Sequence, residues 1–234
     1  MPTTMGSYRL TNKTGGIGRI EIMDNTKAGK VGAGIAGVAV AVFALAMLVG
    51  LICRIHTSMV SFFASIFIAI GYIILVTAFA VPRKDKPLAA AGLASLAFSV
   101  VYAILIFIVY FAMLTTVRMN NLSKEILSII SYEHLGSLFF NYNLLGYGFM
   151  GLSTFFAGFI IIPKTKGDKT LRLLLHIHGV FFVFGLLLPM VPLFTPDMQN
   201  GGAIGTFVLL VWCAYFLPVC ILSWRYFQSM RAAK

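Results

Sequence analysis

Acidic residues are scarce: the 234 residues include only seven Asp and Glu, against eighteen Lys and Arg. Only 11% of the chain is charged while 59% is hydrophobic, where soluble domains average about 25% and about 45–50%. A water-soluble globule of this composition would expose too much apolar surface. That excludes a cytosolic enzyme and a disordered regulator. Cysteine is nearly absent as well. Cys53 ends the first apolar run, and Cys213 and Cys220 share one helix face in the last, out of each other's reach. No CxxC or Cys/His spacing offers a zinc site. A disulfide scaffold is therefore excluded, and neither a metal nor a cofactor is expected.

What the chain does have is long apolar runs, with a mean hydropathy of +0.94 overall. A hydrocarbon core of about 30 Å needs roughly 20 apolar residues in a helix. Runs at 31–53, 59–81, 88–117, 138–162, 171–194 and 203–224 meet that length. The first follows thirty polar residues and is too long for a secretory signal, so it is read as a retained anchor. The expected fold is an all-α integral membrane protein, six transmembrane helices in one bundle over 31–227. Tails at 1–30 and 228–234 flank it; in the first, the spacing of Tyr8–Thr11 and Ile17–Ile22 leaves two readings open, a small hairpin or disorder.

Charge placement orients the bundle. With six spans, the termini and the even-numbered loops share one side, which collects all but three of the basic residues and four acids. The opposite side holds Arg54, Arg118 and Lys124 against Glu125, Glu133 and Asp197. The whole net charge of +11 thus lies on one face. Both termini are expected in the cytoplasm of a plasma or bacterial inner membrane, with anionic headgroups rather than nucleic acid as partners of the basic face. A protein partner or homo-oligomer is compatible with the same layout.

Between the third and fourth runs, Leu122, Ile126, Ile129 and Ile130 recur at helical spacing, with Ser123, Lys124, Ser128 and Ser131 turned away. Met119–Leu135 is therefore expected to hold a short amphipathic helix in the outer interface.

All seven carboxylates and every lysine lie outside the six runs. A carboxylate-driven pump or symporter and the carboxylate-dependent membrane proteases are thereby disfavoured. His176 and His178 are the ionisable groups left well inside a run. At i and i+2 they point about 200° apart, so they cannot share one metal. Pairing the fourth and fifth runs as a hairpin sets His178 within a turn of Ser153 and Thr154. On the fourth run, Asn143, Tyr147, Gly151, Thr154 and Gly158 follow helical spacing and should face protein, because amides and hydroxyls lack partners in lipid. The expected polar seam comprises Asn143, Tyr147, Ser153, Thr154 and His178, with Trp212 from mid-membrane in the last run. Gly146, Gly148 and Gly151 formally match G-x-G-x-x-G, but no strand precedes them, so close helix packing is the better reading. Pro189, Pro192 and Pro218 mark expected irregularities in the last two runs.

No motif identifies a family. The expectation is a non-catalytic accessory, structural or sensing membrane component, with room for a small apolar ligand. The first alternative is a small transporter for a neutral or amphiphilic solute. The second is an intramembrane Ser/His hydrolase built on Ser153 and His178.

Overall fold

The computed structural model describes residues 25–81, 89–191 and 201–232. The hairpin or disorder considered for residues 8–22 and the irregularity expected at Pro192 lie outside them. Among the described residues every regular element is helical: α1 (Asn25–Cys53), α2 (Ser58–Ala80), α3 (Ala90–Ala112), α4 (Lys124–Ile130), α5 (Leu138–Ile160), α6 (Lys166–His178), α7 (Val180–Leu187) and α8 (Gly201–Ala232). Six stretches are long and apolar enough to cross a membrane: Asn25–Cys53, Ser58–Ala80, Ala90–Val117, Leu138–Ile160, Lys166–Met190 and Gly201–Met230. Their outward faces carry large exposed apolar side chains such as Val38, Phe67, Phe111 and Phe207. Lipid, not water, suits such a surface.

Local chemistry sets the ends. Arg54 takes a positive φ of 54° just past α1, in the left-handed region where helices commonly stop. Ser137 caps α5 by accepting from the Phe140 N–H. At α6 the Thr165 hydroxyl accepts from the Asp168 N–H, while the Asp168 carboxylate accepts from the Lys164 and Thr165 N–H groups. This reciprocal cap satisfies the first orphan donors of α6.

The helices neighbour one another in chain order: α1 on α2, α2 on α3, α3 on α5, and α5 on α6 and α7. The ring closes where α8 packs on both α6 and α1. One of its tightest seams joins α1 and α2. A Cβ on Gly71 would sit 2.5 Å from the Ala36 backbone nitrogen, and one on Gly32 2.5 Å from that of Leu75. Only glycine permits two backbones to approach so closely.

Two stretches differ from expectation. In the segment between the third and fourth spans the short helix is Lys124–Ile130, and α3 ahead of it runs on through a π-helical turn at Met113–Val117, inside the expected third run. Ser131, expected to face away, is buried, because the turn after α4 folds inward. Its carbonyl accepts from the Ser137 hydroxyl at 2.6 Å, and the Met113 sulfur accepts from the Tyr132 N–H at 3.3 Å. The fifth run breaks at Gly179, between α6 and α7, before the Leu188–Met190 3-10 turn that contains Pro189. A Cβ on Gly179 would stand 2.9 Å from the Phe155 Cβ of α5, so only glycine fits at the break without displacing that side chain. By contrast, α8 continues through Pro218 without interruption.

Candidate functional site

Inside the ring the large aromatic side chains meet. Tyr72 of α2 packs edge-on against Tyr102 of α3, Tyr102 against Tyr147 of α5, and Tyr147 against Trp212 of α8 at 4.9 Å between centroids. Trp212 stacks on Phe216 at 5.1 Å, and Phe216 packs against both Tyr72 and His178. Each ring is fixed by its neighbours, so the polar atoms on them have definite positions.

His178 is wholly buried at the end of α6. The Trp212 indole N–H donates to its Nε2 at 3.1 Å, and its Nδ1 lies 2.8 Å from the Thr154 hydroxyl oxygen. The Thr154 hydroxyl donates in turn to the Gly151 carbonyl at 2.7 Å. An indole nitrogen only donates, so Nε2 must accept. The proton is therefore assigned to Nδ1, which donates to Thr154. The result is a directed chain from α8 through α6 to α5 in which every hydrogen has one acceptor. Gly151 makes it geometrically feasible: a Cβ there would lie 2.8 Å from the His178 carbonyl oxygen. His176 faces the other way, half-buried against Phe155 and Phe159.

Ser153 belongs to a separate clasp. Its hydroxyl donates to the Ser95 carbonyl at 2.7 Å, the Ser95 hydroxyl donates to the Ser153 carbonyl at 2.8 Å, and the Tyr72 hydroxyl donates to Ser153 Oγ at 2.8 Å. This reciprocal pair ties α3 to α5. Of the expected seam residues, Thr154, His178 and Trp212 thus form one hydrogen-bonded unit. Ser153 forms another, with Ser95 and Tyr72.

Asn143 and Tyr147 are buried on the same face of α5, toward the end of the bundle that carries α4. There the bonding is incomplete. The Tyr102, Tyr110 and Tyr147 hydroxyls and the Asn143 side-chain carbonyl are buried without a hydrogen-bond partner. Tyr110 and Tyr147 both approach Ser65, and Tyr102 approaches Tyr147, without reaching hydrogen-bond geometry. Tyr132, in the turn before α5, rests on Phe62 and Tyr110, and burial pushes its hydroxyl above the usual tyrosine range.

These groups extend a neutral polar column that composition and hydropathy do not reveal. On α2 it comprises Ser58, Ser61, Ser65 and Tyr72, and on α3 Ser95, Ser99, Tyr102 and Tyr110. Both series recur at helical spacing, which marks one face of each helix. The same count that singled out the α5 face would have found them. Among the described residues no three His, Cys, Asp or Glu side chains gather as a metal-binding group.

Comparison with known protein families, with curated proteins and with solved structures gives no match.

Proposed function

We propose that the chain is a non-catalytic, multi-pass component of a cell membrane, structural or sensing in role. The observation that carries this reading is the closed chain through His178. A general base needs a free lone pair within reach of the proton it removes. Here the lone pair on Nε2 is engaged by Trp212, and Nδ1 faces Thr154, whose own hydrogen is given to Gly151. Ser153 bonds to Ser95 and Tyr72 instead. Its hydroxyl sits mid-helix, where the neighbouring backbone N–H groups are committed to helix bonds and leave no oxyanion hole. The hydrolase reading therefore has little support, whereas a neutral clasp holding α5, α6 and α8 together accounts for each bond.

A serine-reactive fluorophosphonate tests this. The folded protein should remain unlabelled at Ser153. Labelling there that disappears in His178→Leu would overturn the reading.

In the proposed orientation both termini and the basic loops are cytoplasmic, and α4 lies in the outer interface. The basic face then meets anionic headgroups. Reporter fusions after Lys234 and within residues 82–87 should report a cytoplasmic location, and one at Gly201 an external one. An external signal from the C-terminal fusion would contradict this topology.

The second reading, a small transporter for a neutral solute, is favoured by the unpartnered tyrosine and asparagine atoms.

A further inference from the structure

We propose that the column formed by Tyr102, Tyr110, Tyr147 and Asn143 is a binding site for a small, uncharged, hydrogen-bonding solute of the amide or polyol type. The inference takes the site to bind rather than convert its solute, and in that respect alone rests on the non-catalytic reading.

Three hydroxyls and one carbonyl without partners form an unusual concentration in a buried interior. Each such group left unsatisfied forfeits its hydration with no hydrogen bond in return. In a membrane bundle the surrounding lipid offers no relief. The four atoms come from two helices, Tyr102 and Tyr110 from α3 and Asn143 and Tyr147 from α5. They are therefore a convergence of elements rather than an accident of one.

The column adjoins a cavity at Asn143. A cavity of about 330 Å³ opens at the α4 end, and its lining includes Ser61, Tyr132, Glu133, Asn143 and Gly205. Asn143 belongs to both cavity and column. One turn further in, Ser65 follows Ser61 on α2 and Tyr147 follows Asn143 on α5. The Ser61 and Ser65 hydroxyls donate to the Ser58 and Ser61 carbonyls, which leaves their oxygens free to accept. From cavity to column the side chains are thus hydroxyls that give or receive a hydrogen bond and an amide that does the same.

Those donors and acceptors select the solute class. Glu133 stands at the rim, exposed and bonded to the Ser58 hydroxyl at 2.8 Å. Beyond it, the column itself contains no charged side chain that would compensate an ion. The aromatic faces are largely taken by other rings, as Trp212 is by Phe216, so the oxygen atoms rather than the π-faces are available. A neutral molecule with both donors and acceptors fits such a lining; an anion or an ammonium does not. The cavity volume admits something considerably larger than a single water, whose share of liquid volume is about 30 Å³.

Trp212 is a built-in reporter, since its ring lies 4.9 Å from that of Tyr147. The chain has two tryptophans, so Trp224→Phe leaves Trp212 as the sole emitter. In this variant, reconstituted in lipid nanodiscs, acrylamide (a neutral amide) should quench the emission strongly, and iodide should not. Gly205→Phe should plug the cavity mouth, because Gly205 lines it and a Cβ there meets nothing within 4 Å, leaving the ring the cavity to enter. It should reduce the acrylamide quenching slope several-fold. Asn143→Leu should do the same from the inner side. Acrylamide quenching no steeper than that by iodide would overturn the proposal, as would quenching insensitive to Gly205→Phe. Neither result bears on fluorophosphonate labelling of Ser153, so failure of the site and failure of the non-catalytic reading remain distinguishable.

Discussion

Gly71→Val is expected to abolish the cooperative thermal transition of the purified protein, or to displace it far below that of the parent. The first atom of any side chain at this position falls 2.5 Å from the Ala36 backbone nitrogen and 3.0 Å from its Cα. Both belong to the α1 backbone and cannot rotate aside as a side-chain tip would. Relief requires α1 and α2 to separate along a seam where Gly32 approaches Leu75 equally closely. Overpacking in a core that can adjust costs about 1–3 kcal/mol, and a rigid backbone contact should exceed that range. Gly202→Ala provides the contrast, because a side chain there meets nothing within 4 Å. It should leave stability unchanged or raise it by up to about 1 kcal/mol through the better helix propensity of alanine. A Gly71→Val protein that melts like its parent would show that α1 and α2 do not pack as described.

The second large effect belongs to His178. Replacing it with leucine leaves the Trp212 indole N–H without an acceptor and removes the donor to Thr154. A buried donor left unmatched costs about 1–3 kcal/mol, and interhelical hydrogen bonds in membrane proteins fall within or below that range. His178→Leu should therefore lower stability by about 2 kcal/mol. His176→Leu should have a much smaller effect. That side chain is half-buried against Phe155 and Phe159, contacts that leucine partly retains. Equal losses from the two substitutions would mean that the His178 chain carries no special weight.

Hydropathy makes the six long helices legible because a bilayer demands one simple property over about 20 residues. The α5 face was legible for a related reason: Asn143, Tyr147 and Thr154 are polar enough to stand out in an apolar run. The break at Gly179 was not. Glycine is tolerated within helices, and the close approach of Phe155 to Gly179 is a tertiary contact that the fifth run alone does not show. The serine and tyrosine faces of α2 and α3 were obscured differently. Serine reads as a small packing residue and tyrosine as an apolar one, so hydropathy passes over both series, although their helical spacing is written in the sequence. What the spacing does not give is the pairing across helices: the packing of α2, α3 and α5 aligns Ser65 with Tyr110 and Tyr147, and Ser95 with Ser153. Hairpin spacing placed both Ser153 and Thr154 near His178, since register along a pair of helices is readable from loop length. Which of the two faces the histidine depends on rotation about the helix axis, set here by the close approach of Gly151 to the His178 carbonyl. Ser153 is instead drawn to Ser95 on the opposite flank.

That division between two clasps is the core of the account, and a double-mutant cycle in thermal unfolding tests it most directly. His178→Leu is combined with Trp212→Phe in one cycle and with Ser153→Ala in the other. Groups in one hydrogen-bonded unit couple by about 0.5–3 kcal/mol, whereas separate units add. The predicted result is that Trp212→Phe costs little further once His178 is gone, while the Ser153→Ala loss adds in full. Additive losses for His178 and Trp212, with strong coupling between His178 and Ser153, would contradict it and return Ser153 and His178 to a single site.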